Sequence, residues 1–147
     1  GNGVQQAEVL RILRFLIGIN DINPKKLKLI PRLPSDWTGI TVAEFPAWIE
    51  TNNELHQISL TYDLSRKPTG ELELDVKSNE QLNPVEVRIG PMAIEQPHNP
   101  PEINVYLDGK QVTENIDKDS GQAGDCWYAT VNIPAGKTNF NLRLIEK

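Results

Sequence analysis

The sequence predicts a mainly β protein, an antiparallel β-sandwich preceded by one N-terminal α-helix. Beyond residue 25, apolar and polar residues alternate with a period of two, which is the pattern of half-buried strands. Turn-forming residues interrupt this alternation at short intervals, as is typical of antiparallel sheets. Before residue 18, apolar residues instead recur every three or four positions, which indicates one face of a helix.

The helix is expected over residues 4–17. Leu13, Leu16 and Ile17 belong to an apolar stripe that further apolar residues widen around most of the helix. A helix of this kind needs burial on more than one side, and water cannot be its intended neighbour.

The same reasoning sets the domain boundary. Gly18 and Pro24 lie where the helix should end, because proline cannot continue the helical hydrogen-bond ladder. We therefore predict that residues 1–24 are the terminal helix of a larger preceding helical body plus a linker. Residues 25–147 are predicted to form the β-sandwich.

The sandwich is expected to contain about eight or nine strands. The apolar positions that should face its core are Leu27 and Leu29; Ile40, Val42 and Phe45; Ile58, Leu60, Tyr62 and Leu64; Leu72, Leu74 and Val76; Val85, Val87 and Ile89; Ile103, Val105 and Leu107; Trp127, Ala129, Val131 and Ile133; and Phe140, Leu142 and Leu144. Lys67 to Gly70 and the pair Asp108 and Gly109 predict two hairpin turns.

Composition excludes several classes of function. The chain has 147 residues, of which 38% are hydrophobic and 24% charged, as expected for one soluble globular domain. A formal charge of -5 argues against nucleic acid and anionic membranes as partners. The longest apolar stretch, Phe15 to Ile19, is too short to span a bilayer. One cysteine allows neither an internal disulfide nor a thiolate zinc site, and it does not determine the compartment.

The sequence predicts no metal and no cofactor. His56 and His98 are about forty residues apart, and neither has a second imidazole or thiolate at ligand spacing. The segment from Asp117 to Asp125 alternates oxygen ligands as a calcium loop would. It lacks the central glycine and closing glutamate of an EF-hand, so an ordinary acidic turn is favoured and calcium remains the alternative.

We predict that this chain alone is not an enzyme. Glu71, Glu73 and Asp75 share one face of a predicted strand, but a solvated polar face accounts for them. A glycosidase would need two carboxylates held roughly 5 to 9.5 Å apart across a cleft. No serine or cysteine in the sequence has the context of an activated nucleophile.

Aromatic residues offer candidate sugar-stacking platforms at Trp48, Tyr106 and Tyr128. The two tyrosines fall on the polar phase of their strands, so they would pair across an open sheet face if those strands were neighbours. Trp37 and Trp48 flank the strand from Ile40 to Phe45 and are expected to cover the core or an interface.

The segment from Leu10 to Trp48 resembles a domain junction in known enzymes. A long helix ends in Phe-Leu-Ile-Gly-Ile-Asn at residues 15–20, and Leu-Lys-Leu-Ile-Pro-Arg-Leu-Pro-Ser-Asp-Trp follows at residues 27–37. It is similar to the end of an (α/α)6 barrel running into a C-terminal β-sandwich in bacterial glycoside hydrolases and phosphorylases of the rhamnosidase-like and disaccharide-phosphorylase-like families. The resemblance covers about the first third of the chain.

The resemblance implies an accessory role. In those families the catalytic acid and base lie in the barrel, so no catalytic residue is carried over to this chain. Leu13, Leu16, Ile17 and Trp37 would then contact the catalytic barrel of the same chain.

Our first functional hypothesis is a non-catalytic accessory domain that packs on and stabilises this barrel, in a periplasmic or extracellular enzyme. The alternatives are a free-standing carbohydrate-binding module and an extracytoplasmic interaction domain without a small ligand.

Overall fold

Strands make up nearly all of the regular structure. The computed structural model describes residues 17–34, 36–92, 101–121 and 124–147. The predicted helix over residues 4–17 lies, apart from Ile17, outside the described residues. The eleven strands within them are β1 (Ile19–Asn20), β2 (Leu27–Leu29), β3 (Gly39–Thr51), β4 (Glu54–Arg66), β5 (Leu72–Ser78), β6 (Val85–Met92), β7 (Ile103–Leu107), β8 (Lys110–Val112), β9 (Asn115–Gly121), β10 (Gly124–Ile133) and β11 (Asn139–Glu146).

These strands form two sheets. The five-stranded sheet has the order β1-β2-β6-β10-β9, and the six-stranded sheet has the order β3-β4-β5-β11-β7-β8. All pairings are antiparallel except that β2 runs parallel to β6, with Leu29 beside Val87. The predicted antiparallel architecture is therefore confirmed apart from this one strand pair.

One hydrophobic core lies between the two sheets. Leu74 and Leu142 of the six-stranded sheet are fully buried, as are Val87 and Ala129 of the five-stranded sheet, and all belong to the same cluster. Burying a large aliphatic side chain contributes about 1.5–3 kcal/mol, so these alternating residues hold the sheets together. Ile40, Val42 and Phe45 of β3 were also predicted to face the core, but they are only half-buried. This arrangement is that of a β-sandwich.

Three tight turns connect strands of the six-stranded sheet. The predicted turn at Asp108 and Gly109 is confirmed, with φ values of 49° and 81°. The predicted turn from Lys67 to Gly70 is confirmed by the hydrogen bond from the Gly70 amide to the Lys67 carbonyl oxygen, at 2.8 Å. The third turn was not predicted: Asn52 and Asn53 have φ values of 53° and 62° and join β3 to β4. Asparagine tolerates this left-handed conformation better than most residues.

The acidic segment from Asp117 to Asp125 was predicted to be an ordinary turn, but all of its described backbone is strand. Asn115–Gly121 form β9, which pairs with β10 from Thr130 opposite Asn115 to Gly124 opposite Gly121. β9 is mostly polar in sequence, so it lacks the apolar alternation by which the other strands were predicted. An edge strand can be held by backbone hydrogen bonds to its one neighbour without that alternation. With this strand and the short β1, the count exceeds the eight or nine expected.

The chain before residue 25 is built into the sandwich. Ile19 pairs with Leu29, and the Ile30 amide donates to the Gly18 carbonyl oxygen at 2.7 Å. The Tyr62 hydroxyl donates to the Ile17 carbonyl oxygen at 2.5 Å. The five-stranded sheet thus includes residues that the sequence assigned to a linker.

Candidate functional site

The two exposed tryptophans lie at opposite ends of the sandwich. Trp37 comes just before β3 begins, whereas Trp48 lies near the turn at its far end. Because β3 has 13 residues and a strand rises about 3.3 Å per residue, the strand is about 40 Å long. We call the end with the Asn52 and Asn53 turn the hairpin end, and the other the Trp37 end.

Trp48 presents its ring at the hairpin end. Its side chain is 44% exposed, and it lies directly opposite Gln57 of β4. Leu55, which is 58% exposed, is its diagonal neighbour, two residues from Gln57 on the same face of β4. An aromatic surface thus adjoins an amide and an aliphatic side chain.

Backbone hydrogen bonds hold this part of β3 in place. The Trp48 amide donates to Oδ2 of Asp21 at 2.9 Å, and the Glu50 amide donates to the Pro24 carbonyl oxygen at 2.9 Å. The Asn83 side-chain amide donates to the carbonyl oxygens of Pro24, at 3.1 Å, and Glu50, at 2.5 Å. The β1–β2 connection therefore lies against β3, and Asn83 ties both segments together.

An open cleft of about 250 Å³ adjoins this segment. Its walls combine amide, carboxylate and ammonium side chains with one proline: Lys25, Glu50, Asn52, Asn53, Asn83 and Pro84. Amides both donate and accept hydrogen bonds, so these walls suit a neutral polar ligand. Sequence reasoning missed the cleft, although an Asn-Asn pair between two alternating stretches is a turn signal that could have located its rim.

Trp37 was expected in the core or an interface, and the structure excludes the core. Its ring is 44% exposed, because Leu33, which is 1% exposed, fills the core position of this segment. The Trp37 amide donates to the Pro34 carbonyl oxygen at 3.0 Å and closes a turn. Arg66 of β4 holds that turn through its amide, bonded to the Thr38 carbonyl oxygen at 2.8 Å.

Ile17 lies near the same end. Its side chain is partly buried and packs against the core, so it does not stand free as a surface residue. Tyr62, which binds its carbonyl oxygen, is four residues from Arg66 on β4, or about 13 Å along the strand. Leu13 and Leu16, the other interface candidates, lie outside the described residues.

The two tyrosine candidates do not form a sugar platform together. Tyr106 is on β7 and Tyr128 on β10, and these strands belong to different sheets. Tyr128 is only 8% exposed: the Arg88 guanidinium lies 4.2 Å from its ring centroid. Its ring also lies against Gly90, where an added Cβ would come within 2.6 Å of Cδ1. The stacking prediction for Tyr128 is therefore wrong, because the ring covers a neighbouring glycine instead of facing solvent.

The acidic face of β5 is paired with polar neighbours. Arg143 Nε lies 2.7 Å from Glu71 Oε1. The Asn141 amide donates to Asp75 Oδ1 at 2.7 Å, and Lys67 Nζ is 3.2 Å from Glu73 Oε2. The Arg143 hydrogen bond, helped by Lys67, holds the pKa of the Glu71 carboxyl below its usual range. The face is polar, as expected from the sequence, but it is less solvated than expected, since the Glu71 side chain is 13% exposed and that of Glu73 26%.

Metal-ligating side chains do not converge in the described part of the chain. His56 Nε2 lies 2.9 Å from Glu80 Oε2, so this imidazole faces a single carboxylate. His98 lies outside the described residues, as do the side chains of the acidic segment once considered for calcium. Within the described ranges, no helix has the length and apolarity needed to cross a bilayer.

The chain was compared with protein-family models, with curated proteins and with solved structures. None of the three comparisons found a match. Function is therefore inferred from the chemistry of the residues at the two ends of the sandwich.

Proposed function

We propose that the chain is a non-catalytic β-sandwich accessory domain of a carbohydrate-active enzyme, a glycoside hydrolase, and that it packs on a helical catalytic domain of the same chain. The observation that carries the proposal is the exposure of Trp37 at one end of the sandwich. There a large aromatic ring stands 44% exposed. Ile17, where residues 1–16 join the sandwich, is bound by Tyr62, about 13 Å along β4 from Arg66 of that end.

Hydrogen bonds to Ile17 and Gly18 attach the start of the described chain to the sandwich. The Ile17 carbonyl oxygen is bound by Tyr62, and the Gly18 carbonyl oxygen is bound by Ile30. Gly18 has a φ of 66° and contacts the Ile30 backbone so closely that a Cβ would lie 1.9 Å from its carbonyl oxygen. A fixed attachment transmits orientation, whereas a flexible linker would let two domains move independently.

Trp37 supplies the contact surface. Tryptophan is enriched at the centres of protein interfaces because it buries a large area with few rotatable bonds. The turn that carries it is closed by the Pro34 carbonyl oxygen and braced by Arg66. The resemblance of residues 27–37 to a barrel-to-sandwich junction supports a helical domain as the neighbour.

The reading frame upstream of residue 1 tests the first part of the proposal. We expect it to encode several hundred residues of helical hairpins with a pair of catalytic carboxylates. A frame that starts within a few codons of residue 1, or one that encodes another kind of domain, would contradict the proposal.

Binding between the helical domain and the sandwich tests the second part of the proposal, that the two domains pack on each other. The upstream domain and the present chain, produced separately, should bind each other in isothermal titration calorimetry. Trp37→Ala should weaken this binding at least about tenfold, as truncation of an interface tryptophan does. Trp48→Ala is the matched control, because it removes an equally exposed ring at the other end. Equal binding by both variants would refute the role of Trp37.

A further inference from the structure

We propose that the hairpin end binds a neutral saccharide, with Trp48 stacking on the apolar face of a sugar ring and the adjoining cleft bonding its hydroxyl groups. The inference rests on the proposed function for the choice of ligand class, but it concerns the opposite end of the sandwich. A sugar ring has a face of C–H groups and a rim of hydroxyls. A ligand of that shape needs one aromatic surface beside several donors and acceptors.

The residues meet this requirement. Trp48 and Glu50 are two residues apart on the same face of β3, so their Cα atoms are about 7 Å apart along the strand. Gln57 lies directly opposite Trp48, and three asparagine side chains line the cleft. The cleft is open to solvent, and its volume of about 250 Å³ is below the roughly 300–1,000 Å³ of pockets that enclose drug-sized molecules.

The local charge selects a neutral ligand. Glu50 and Lys25 are the charged residues of the cleft wall, and Asp21 binds the Trp48 amide beside it. An anionic glycan or a nucleic acid would meet two carboxylates against one ammonium there, and its binding would be disfavoured. Amide and hydroxyl groups pair without this penalty.

Hydrogen bonds also hold the backbone around Trp48 in place before any ligand binds. The Trp48 and Glu50 amides are bound by Asp21 and Pro24, and Asn83 bridges Pro24 and Glu50. A surface that is already ordered loses little conformational entropy when a ligand binds.

Affinity electrophoresis of the whole 147-residue chain tests the proposal. The gels contain xyloglucan, arabinoxylan or galactomannan as neutral probes, and polygalacturonate as the anionic probe. We expect retardation by at least one neutral polysaccharide and none by polygalacturonate. Trp48→Ala should weaken that binding at least about tenfold, and Trp48→Phe should retain part of it.

Two further variants keep the outcome interpretable. Asn53→Gly removes one cleft amide at a position where φ is 62°, which glycine adopts readily, and it should weaken binding severalfold without unfolding the chain. Trp37→Ala should bind as the unchanged chain does. Failure of domain association with intact saccharide binding would therefore reject only the accessory role.

Three results would overturn the saccharide site. They are the absence of retardation by every neutral probe, equal retardation of the unchanged chain and Trp48→Ala, and preferential binding of polygalacturonate. Thermal unfolding of Trp48→Ala and Trp48→Phe establishes that each variant is folded before its binding is read.

Discussion

Substitution of Gly18 by alanine isolates the contact that fixes the chain to the sandwich. Two costs add at this position. A non-glycine residue at a φ of 66° costs about 1–2 kcal/mol, and the new Cβ would lie 1.9 Å from the Ile30 carbonyl oxygen. The Ile30 carbonyl group is part of the backbone, so it cannot rotate away from the new Cβ as a side chain could. The segment must shift, which breaks the Ile30-to-Gly18 hydrogen bond and strains the Tyr62-to-Ile17 hydrogen bond.

Each lost hydrogen bond removes about 1 kcal/mol, and a buried hydroxyl left without a partner costs about 1–3 kcal/mol. Gly18→Ala should therefore lower the free energy of unfolding by about 3 kcal/mol or more, measured by urea denaturation. In a domain of this size that corresponds to a fall in Tm of about 6–12 °C.

Gly70→Ala is the matched control for this experiment. Gly70 has a φ of 90°, but no heavy atom lies within 4 Å of its added Cβ. It therefore reports the cost of the backbone conformation alone, about 1–2 kcal/mol, reduced by the lower entropy of an unfolded chain with one glycine fewer. Equal destabilisation by both substitutions would refute the reasoning, because it would mean that the close approach to Ile30 carries no energy.

Three further predictions concern single side chains. Trp37→Ala should cost about 1–2 kcal/mol in urea denaturation, less than the roughly 3–5 kcal/mol of a fully buried tryptophan, because its ring is 44% exposed; a larger loss would place the ring in the core. The pKa of Glu71 is lowered by Arg143, so this carboxylate stabilises the fold above its unfolded pKa of about 4.3, and the stability is lost as pH falls through the lower folded value. Glu71→Gln should therefore unfold at lower urea than the unchanged chain near neutral pH, and the difference should vanish at about pH 2; a constant difference would contradict this pairing. Burial raises the pKa of Tyr62, so its neutral form stabilises the fold fully below about pH 10, and this stability is lost as pH rises above the unfolded value. Tyr62→Phe should reduce the alkaline loss of stability in urea denaturation, and an unchanged alkaline limb would exclude Tyr62 as its source.

Strands and turns that depend on neighbouring residues could be predicted from the sequence. The strand carrying Leu72, Leu74 and Val76 follows from alternation alone. Successive side chains of a strand point to opposite faces, so the neighbouring residues are enough to predict that these three face the core. The turn at Asp108 and Gly109 is likewise local, since only a few residue pairs adopt its positive φ angles readily.

Which distant strands and residues meet in the fold could not be predicted from the sequence. The alternation places Tyr106 and Tyr128 on polar faces correctly, but it does not tell which sheet each strand joins. Tyr128 is buried because Gly90, on a strand almost 40 positions earlier, leaves room for its ring. The parallel pairing of β2 with β6 depends in the same way on which distant strands meet. At the candidate site, Trp48 was identified from the sequence, whereas Asn83 comes from a different part of the chain and was missed.

The hydrogen bonds along the outer side of β3 also limit how this edge strand can pair with another chain. β3 is the first strand of its sheet, and a strand in that position can accept another chain as an additional strand. Pro46 has no amide hydrogen to offer, and the amides of Trp48 and Glu50 are already bound by Asp21 and Pro24. From Pro46 to Glu50 this side therefore gives an aggregating chain no row of donors to pair with. The connection that orders the Trp48 surface therefore also protects the strand edge beside this exposed aromatic residue.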